Sequence, residues 1–286
     1  MSAARPPSAR VALVTGAAGG IGTAVARVFA AQGHAVTITD RCPEGLAALT
    51  QELERTAADV LALSGDLTDL EFAESVIRRT AACFGRIDVV VNNAAARDLG
   101  TMREITPAEW DRTIRLCLTA PAFLARWAAE EMPPGGVIVN IGSMMARQAH
   151  GVSPAYVSCK GALESLTYDL AALYGPAGIR VVNVAPGAID TAMSRFHTAD
   201  GRSNGRGDDP VRKFSESMTM LGRWGRPDEV AQAVAWIASD QASYLTGTTL
   251  VLDGGWSRMH LPPELTEAVL PDAARAPDCL AAGERG

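Results

Sequence analysis

The chain predicts an α/β protein: a single domain built on a doubly wound, seven-stranded parallel sheet with helices on both faces. Three observations carry this. Short β-branched runs alternate with longer amphipathic stretches. The strand runs are apolar throughout, as strands covered on both faces must be. Seven such runs fall within about 250 residues, the size of one doubly wound domain.

In chain order, Val11–Thr15 reads as the first strand and Ile21–Gln32 as the helix after it. Ala35–Thr39 and Val60–Leu63 follow as strands, with no helix assigned between them. Leu70–Phe84 is the next amphipathic stretch, and Ile87–Asn92 the fourth strand. Pro107–Glu131, Pro154–Tyr174 and Pro227–Ser239 are further amphipathic stretches. They are interleaved with strands Gly136–Ile141, Arg180–Val184 and Thr249–Leu252. No internal repeat appears. Residues 1–9 read as an N-terminal extension, 10–260 as the catalytic domain and 261–286, rich in Pro, Ala and Glu, as a tail. Residues 190–222 break the rhythm with a polar, glycine-rich stretch. They follow a strand's carboxyl end, where open sheets bind ligands, and so read as a substrate lid.

Bulk properties narrow the function. Over 286 residues the apolar fraction is 48%, enough for a core, and the net charge of −6 argues against a nucleic-acid partner. No apolar run reaches the roughly 18 residues that span a bilayer. The first ten residues lack the apolar stretch of a secretory signal. Cysteines 42, 83, 117, 159 and 279 form an odd set with no Cys-x-x-Cys, so neither a disulfide framework nor structural zinc is expected. The four histidines (34, 150, 197, 260) show no metal-ligand spacing, and no metal is assigned. A cytoplasmic enzyme fits these features.

Gly16, Gly20 and Gly22 follow the first strand and open the first helix, the context of a phosphate-binding turn. Glycine admits backbone close to a pyrophosphate, and the helix start offers free N–H groups and partial positive charge. A plain tight turn is the alternative. Asp40 ends the second strand. A carboxylate there accepts hydrogen bonds from an adenosine ribose and repels a 2′-phosphate, which favours NAD over NADP. Arg41 can hold that phosphate, or stand as a solvated surface arginine. Asp66 can meet the adenine amino group or cap the next helix. Asn92 and Asn93 can pin neighbouring loops through their amides.

Tyr156 and Lys160 stand four apart, which on a helix places phenol and ammonium on one face. A free phenol, with a pKa of about 10, is a poor base at neutral pH. A nearby lysine charge favours its ionised form, so the pair can exchange protons with an alcohol or ketone. Together with a nucleotide-binding turn, the pair reads as a hydride-transfer enzyme with a Rossmann-like fold.

With these pieces in order, the chain resembles the classical short-chain dehydrogenase/reductase family over about residues 10–257. The resemblance rests on Thr15-Gly-x-x-x-Gly-x-Gly22, Asp66, Asn92-Asn-Ala, Ser143, Tyr156-x-x-x-Lys160, Pro186-Gly187 and Leu221-Gly-Arg-Trp-Gly-Arg-Pro-Asp-Glu-Val to Leu252-Asp-Gly-Gly255. It implies Tyr156 as general acid/base, Lys160 as the group that lowers its pKa and binds the nicotinamide ribose, and Ser143 as the hydrogen-bond partner of the substrate oxygen. It also implies dinucleotide contacts at Gly16, Ile21, Asp40, Asp66, Leu67, Asn93, Ile189 and Thr191. In similar proteins the helices matching Pro107–Glu131 and Pro154–Tyr174 pair across a two-fold axis and the closing strand makes a second contact, so a homodimer or homotetramer is expected.

Two departures stand out. Cys117 occupies the place where the family carries an asparagine thought to hold a water linking the lysine to solvent; a thiol supports such a water poorly. Cys117 reads as a small buried hydrophobe. Ala95 replaces a usual glycine and narrows the loop beside the nicotinamide. Met144, Met145, His150, Val152, Met193 and Phe196 suggest an apolar, adaptable substrate pocket, although several read equally well as core or subunit contacts. Arg97 reads as a surface ion pair, with contact to a substrate carboxylate as the alternative. The function expected is NAD-dependent interconversion of a secondary alcohol and a ketone on a small, moderately apolar molecule. The rivals are an NADPH-dependent ketoreductase of the 3-oxoacyl-thioester or polyketide type, and a dinucleotide-binding protein that has lost efficient catalysis.

Overall fold

The parallel sheet is made by Val11–Thr15 (β1), Ala35–Asp40 (β2), Val60–Ser64 (β3), Val89–Asn92 (β4), Val137–Ile141 (β5), Arg180–Pro186 (β6) and Thr248–Leu252 (β7). In a computed structural model, which describes residues 9–259 apart from 57, 98, 149–150 and 196–209, these strands pair in the order β3-β2-β1-β4-β5-β6-β7. The seven-stranded, doubly wound α/β architecture expected from the sequence is present. Strand order reverses between β1 and β4, and that reversal opens a crevice at the strands' carboxyl ends.

The helices are Gly20–Ala31 (α1), Pro43–Glu54 (α2), Leu70–Phe84 (α3), Pro107–Ile114 (α4), Ala120–Glu131 (α5), Pro154–Tyr174 (α6), Ala192–Arg195 (α7), Pro210–Ser217 (α8) and Pro227–Ala238 (α9). Side chains alternate across each strand. Val14, Ile38, Val91 and Val139 therefore face a core shared with α1, α2 and α9. Leu13, Val90, Ile138 and Val181 face the opposite core, built with α3, α5 and α6. Both faces are covered, which is why the strands read as unbroken apolar runs. Among the described residues, no helix is long and apolar enough to cross a membrane.

The structure departs from the sequence reading in three places. The helix α2 was not anticipated. Its buried face is only Leu46, Leu49 and Leu53, and its N-cap is Cys42, whose sulfur accepts from Gly45 N at 3.4 Å. A thiol is not the oxygen cap that marks a helix start in sequence. The stretch expected to be one helix over 107–131 is interrupted by a π-helical turn, Arg115–Thr119. Pro121 has no N–H to give the carbonyl four residues back, that of Cys117, and a widened turn absorbs the mismatch. Finally, β4 begins at Val89, two residues later than read, because Asp88 turns its carboxylate to accept from Val11 N at 2.8 Å and to pair with Arg86 at 2.5 Å. Of the lid expected over 190–222, α7 and α8 are seen, while 196–209 lies outside the described residues. So do residues 1–8 of the expected extension and the whole of the expected tail.

Candidate active site

β1 delivers the chain into a turn at Gly16, whose φ of 63° is a left-handed conformation suited to glycine. A Cβ on Gly16 would lie 2.8 Å from Ala94 Cα, and one on Gly22 would lie 2.2 Å from Gly16 O. Gly22 thus closes the turn on itself and does not reach the crevice. The loop after β4 is stitched to this turn. Thr15 Oγ1 accepts from Asn93 N (2.9 Å) and Ala94 N (3.0 Å), and Asn93 Nδ2 donates to Thr15 O (2.9 Å) and Gly16 O (3.0 Å). Helix α1 then starts at an N-cap, Gly19, which supplies no side-chain acceptor. Its first N–H groups are left to an anion.

Gly16, Gly20, Ile21, Asp40 and Asn93 line one cavity of about 510 Å³, which continues to Ser143, Tyr156 and Lys160. Asp40 is held by two backbone donors, Ala18 N and Cys42 N, both at 3.0 Å. Pro186, Gly187, Ile189 and Thr191 line it from the β6 side. A Cβ on Gly187 would meet Asp253 Cα at 2.7 Å, and one on Gly20 would meet Thr191 Cγ2 at 2.8 Å, so this loop closes tightly over the glycine turn. Besides Gly22, three expected dinucleotide residues are not among those lining the cavity. Arg41 is exposed. Leu67 is buried in the core beneath α3. Asp66 accepts from Thr68 N at 2.9 Å, which lowers its pKa, and Asp69, not Asp66, caps α3.

At the other end, Tyr156 and Lys160 stand on the first two turns of α6. Lys160 is 2% exposed; its Nζ donates to Ile141 O at 2.6 Å and lies 5.4 Å from the Tyr156 ring centre. Anchoring to a carbonyl satisfies a charge that would otherwise be costly to bury. Ser143 follows β5, and its Oγ accepts from Met145 N at 3.2 Å. The three side chains predicted to act together are therefore gathered on one wall. The Cys117 thiol, fully buried in the π-helical turn, donates to Ala96 O at 3.5 Å.

Ala95, Met144, Met145, Val152 and Met193 line the same cavity, while His150 and Phe196 lie outside the described residues. Arg97 is a correction. It does not stand on the surface but lines the cavity half-buried, with Nε donating to Ser153 Oγ at 3.0 Å. The sequence reading missed Phe214, Ser215, Trp224 and Trp256, which also line the cavity. Trp224 Nε1 donates to Ser215 Oγ at 2.6 Å and the Arg212 guanidinium lies 4.9 Å from the Trp224 ring, which ties α8 to the wall. Only the Leu-Gly-Arg-Trp run hinted at this, and nothing local says where its indole goes.

The donor set fits a dinucleotide: uncapped helix N–H groups for a pyrophosphate, a carboxylate for a ribose and one cavity that both share with Tyr156. Comparison with known proteins agrees. A family model described as enoyl-(acyl carrier protein) reductase matches residues 16–257. The chain is 37% identical over 251 residues to cis-4-hydroxycyclohexanecarboxylate dehydrogenase of Sinomonas cyclohexanicum, covering 87% of this chain and 96% of that one. It is 33% identical over 250 residues to D-threitol dehydrogenase of Mycolicibacterium smegmatis, covering 87% and 93%. A short-chain dehydrogenase from Burkholderia cenocepacia, solved with NADP, superposes with a TM-score of 0.80 at 31% identity, covering 86% of this chain and 97% of that one. The chain belongs to the short-chain dehydrogenase/reductase family of oxidoreductases.

Proposed function

We propose that the protein interconverts a secondary alcohol and a ketone on a small, moderately apolar molecule, with NAD as its preferred dinucleotide and alcohol oxidation as its working direction. The observation that carries this is the gathering of Ser143, Tyr156 and Lys160 at one end of a cavity whose other end holds Asp40. The nicotinamide supplies the hydride acceptor. The Tyr156 oxygen takes the alcohol proton as the carbinol carbon gives up its hydride, leaving a carbonyl. Ser143 holds the substrate oxygen by a hydrogen bond as charge builds on it. The Lys160 ammonium lies 5.4 Å from the Tyr156 ring centre, and Ile141 O keeps that ammonium in place. The apolar and aromatic wall excludes water.

The names of the relatives support CH–OH chemistry, since one acts on a ring alcohol and another on a polyol. Asp40 supports NAD. A carboxylate there disfavours a 2′-phosphate. The NADPH-dependent reductase reading draws on the structural relatives solved with NADP and NADPH, and on Arg41 standing exposed beside Asp40.

Tyr156→Phe tests the reaction. Turnover in an NAD-coupled screen of ring and open-chain alcohols is expected to fall by about 10²–10⁴-fold, the usual contribution of a proton-transfer group. Dinucleotide binding by calorimetry is expected to persist. Unchanged turnover in this variant, or a wild-type protein that binds neither NAD nor NADP, sinks the reading.

A further inference from the structure

The cavity wall includes Met144, Met145, Trp224 and Trp256, and to this largely apolar lining the loop after β4 adds Arg97. We infer that Arg97 receives an anionic group of the substrate, a carboxylate borne on the same apolar skeleton as the carbinol, so that the substrate is a hydroxy acid and the product an oxo acid. This rests on the alcohol–ketone reading above and narrows it.

The placement supports the assignment in three ways. Among the described residues of the cavity wall, the other basic one, Lys160, donates to Ile141 O, and the acid, Asp40, stands by the glycine turn, where it accepts from Ala18 N. Arg97 thus brings a guanidinium to the wall that also carries Tyr156. Guanidinium is the side chain best matched to a carboxylate, and it holds one most strongly where water is excluded. Burial draws the Arg97 pKa down and Tyr156 draws it back up.

The third support is the mounting. Arg97 Nε is fixed to Ser153, which is 1% exposed and holds a left-handed φ of 57°, rare for a residue with a side chain. Ser153 N in turn donates to Gly100 O at 2.9 Å. Ser153 is also the N-cap position of α6, three residues before Tyr156. The guanidinium and the phenol are therefore carried on one frame, which sets the span between a substrate's anion and its reacting carbon.

The test is calorimetric titration of the NAD-loaded enzyme at neutral pH with cyclohexanecarboxylate and with methyl cyclohexanecarboxylate, which differ in charge. The wild type is expected to bind the acid at least about tenfold more tightly than the ester, the discrimination of one charge-assisted hydrogen bond. Arg97→Met is expected to bring the acid down to the ester's affinity, and Arg97→Lys to keep part of the preference. If Arg97 only braced Ser153, Arg97→Met would weaken both probes alike and leave their ratio unchanged. An unchanged ratio overturns the inference, as does a wild-type enzyme that binds the acid no better than the ester or not at all. NAD is titrated first. Failure of any dinucleotide to bind overturns the alcohol–ketone reading, whereas a loaded enzyme without acid preference overturns the role of Arg97 alone.

Discussion

Cys117 and Cys159 belong to one buried cluster with Met145 and Tyr156. Burial, with Cys117 adding to it, pushes the Cys159 thiol up to about 12, so it stays protonated and acts as a small apolar side chain. Cys42 and Cys83 are exposed. Brief iodoacetamide treatment of the native protein at pH 8, read by peptide mass spectrometry, should modify Cys42 and Cys83 and leave Cys117 and Cys159 intact. The contact from Cys117 to Ala96 O is one that an asparagine amide can also make. Cys117→Asn should therefore keep turnover, with a change far smaller than the about 10²-fold that loss of a proton-transfer group brings; a larger fall would show that the thiol itself is required. Asp40→Ala should raise the KM for NAD by about 10-fold or more, as expected for a lost hydrogen bond to a charged group, and narrow the gap to NADP. Parallel NADH and NADPH kinetics check this. That Ser143, Tyr156 and Lys160 come to line one cavity was legible because their spacing along the chain is short. Arg97 was not, because whether that arginine meets solvent or cavity depends on how the loop after β4 folds back toward Ser153.

Most elements were legible, and those that were not share a cause. A strand buried on both faces announces itself through composition, and α1, α3, α6 and α9 through spacing. The helix α2 covers a sheet edge with three leucines and starts on a thiol, so its signal is local and faint. The π-helical turn arises from a proline acting one turn downstream, which a 3.6-residue pattern cannot register. Helix α9 makes a stability prediction possible. Glu229 accepts from Arg226 N at 2.7 Å at the helix start and pairs with Arg223 at 2.6 Å. The Arg223 hydrogen bonds and then the Arg226 N–H hold its carboxyl down at about 2, below the usual carboxylate range. A lowered folded-state pKa stabilises fully above the unfolded value, about 4.3, and the benefit fades as pH falls toward 2. Glu229→Gln should cost about 1 kcal/mol or less at pH 7, given solvent screening. Urea unfolding of the two proteins should converge as the pH is lowered from 4.5 to 2; a constant gap would exclude the charge as its source.

For the whole molecule, the expected assembly is a dimer or tetramer. Helix α6 leaves Tyr168 41% and Leu173 63% exposed, α9 leaves Trp236 43% exposed, and Tyr244 is fully so. Helices α6 and α9 lie on opposite faces of the sheet, so these exposed apolar side chains offer two separate surfaces to partner copies. Light scattering should give two or four times the chain mass of 30.0 kDa, and Leu173→Glu should lower that mass; a monomeric wild type would refute the expectation. The sheet reversal between β1 and β4 was implicit in the order of strands and helices, yet the seam across it was not. Asn93 and Thr15 lace the two lips of the crevice together. Neither lip can shift while the other stays put. Asn93→Ala is therefore expected to weaken dinucleotide binding and slow turnover together, since one set of hydrogen bonds holds both sides of the crevice.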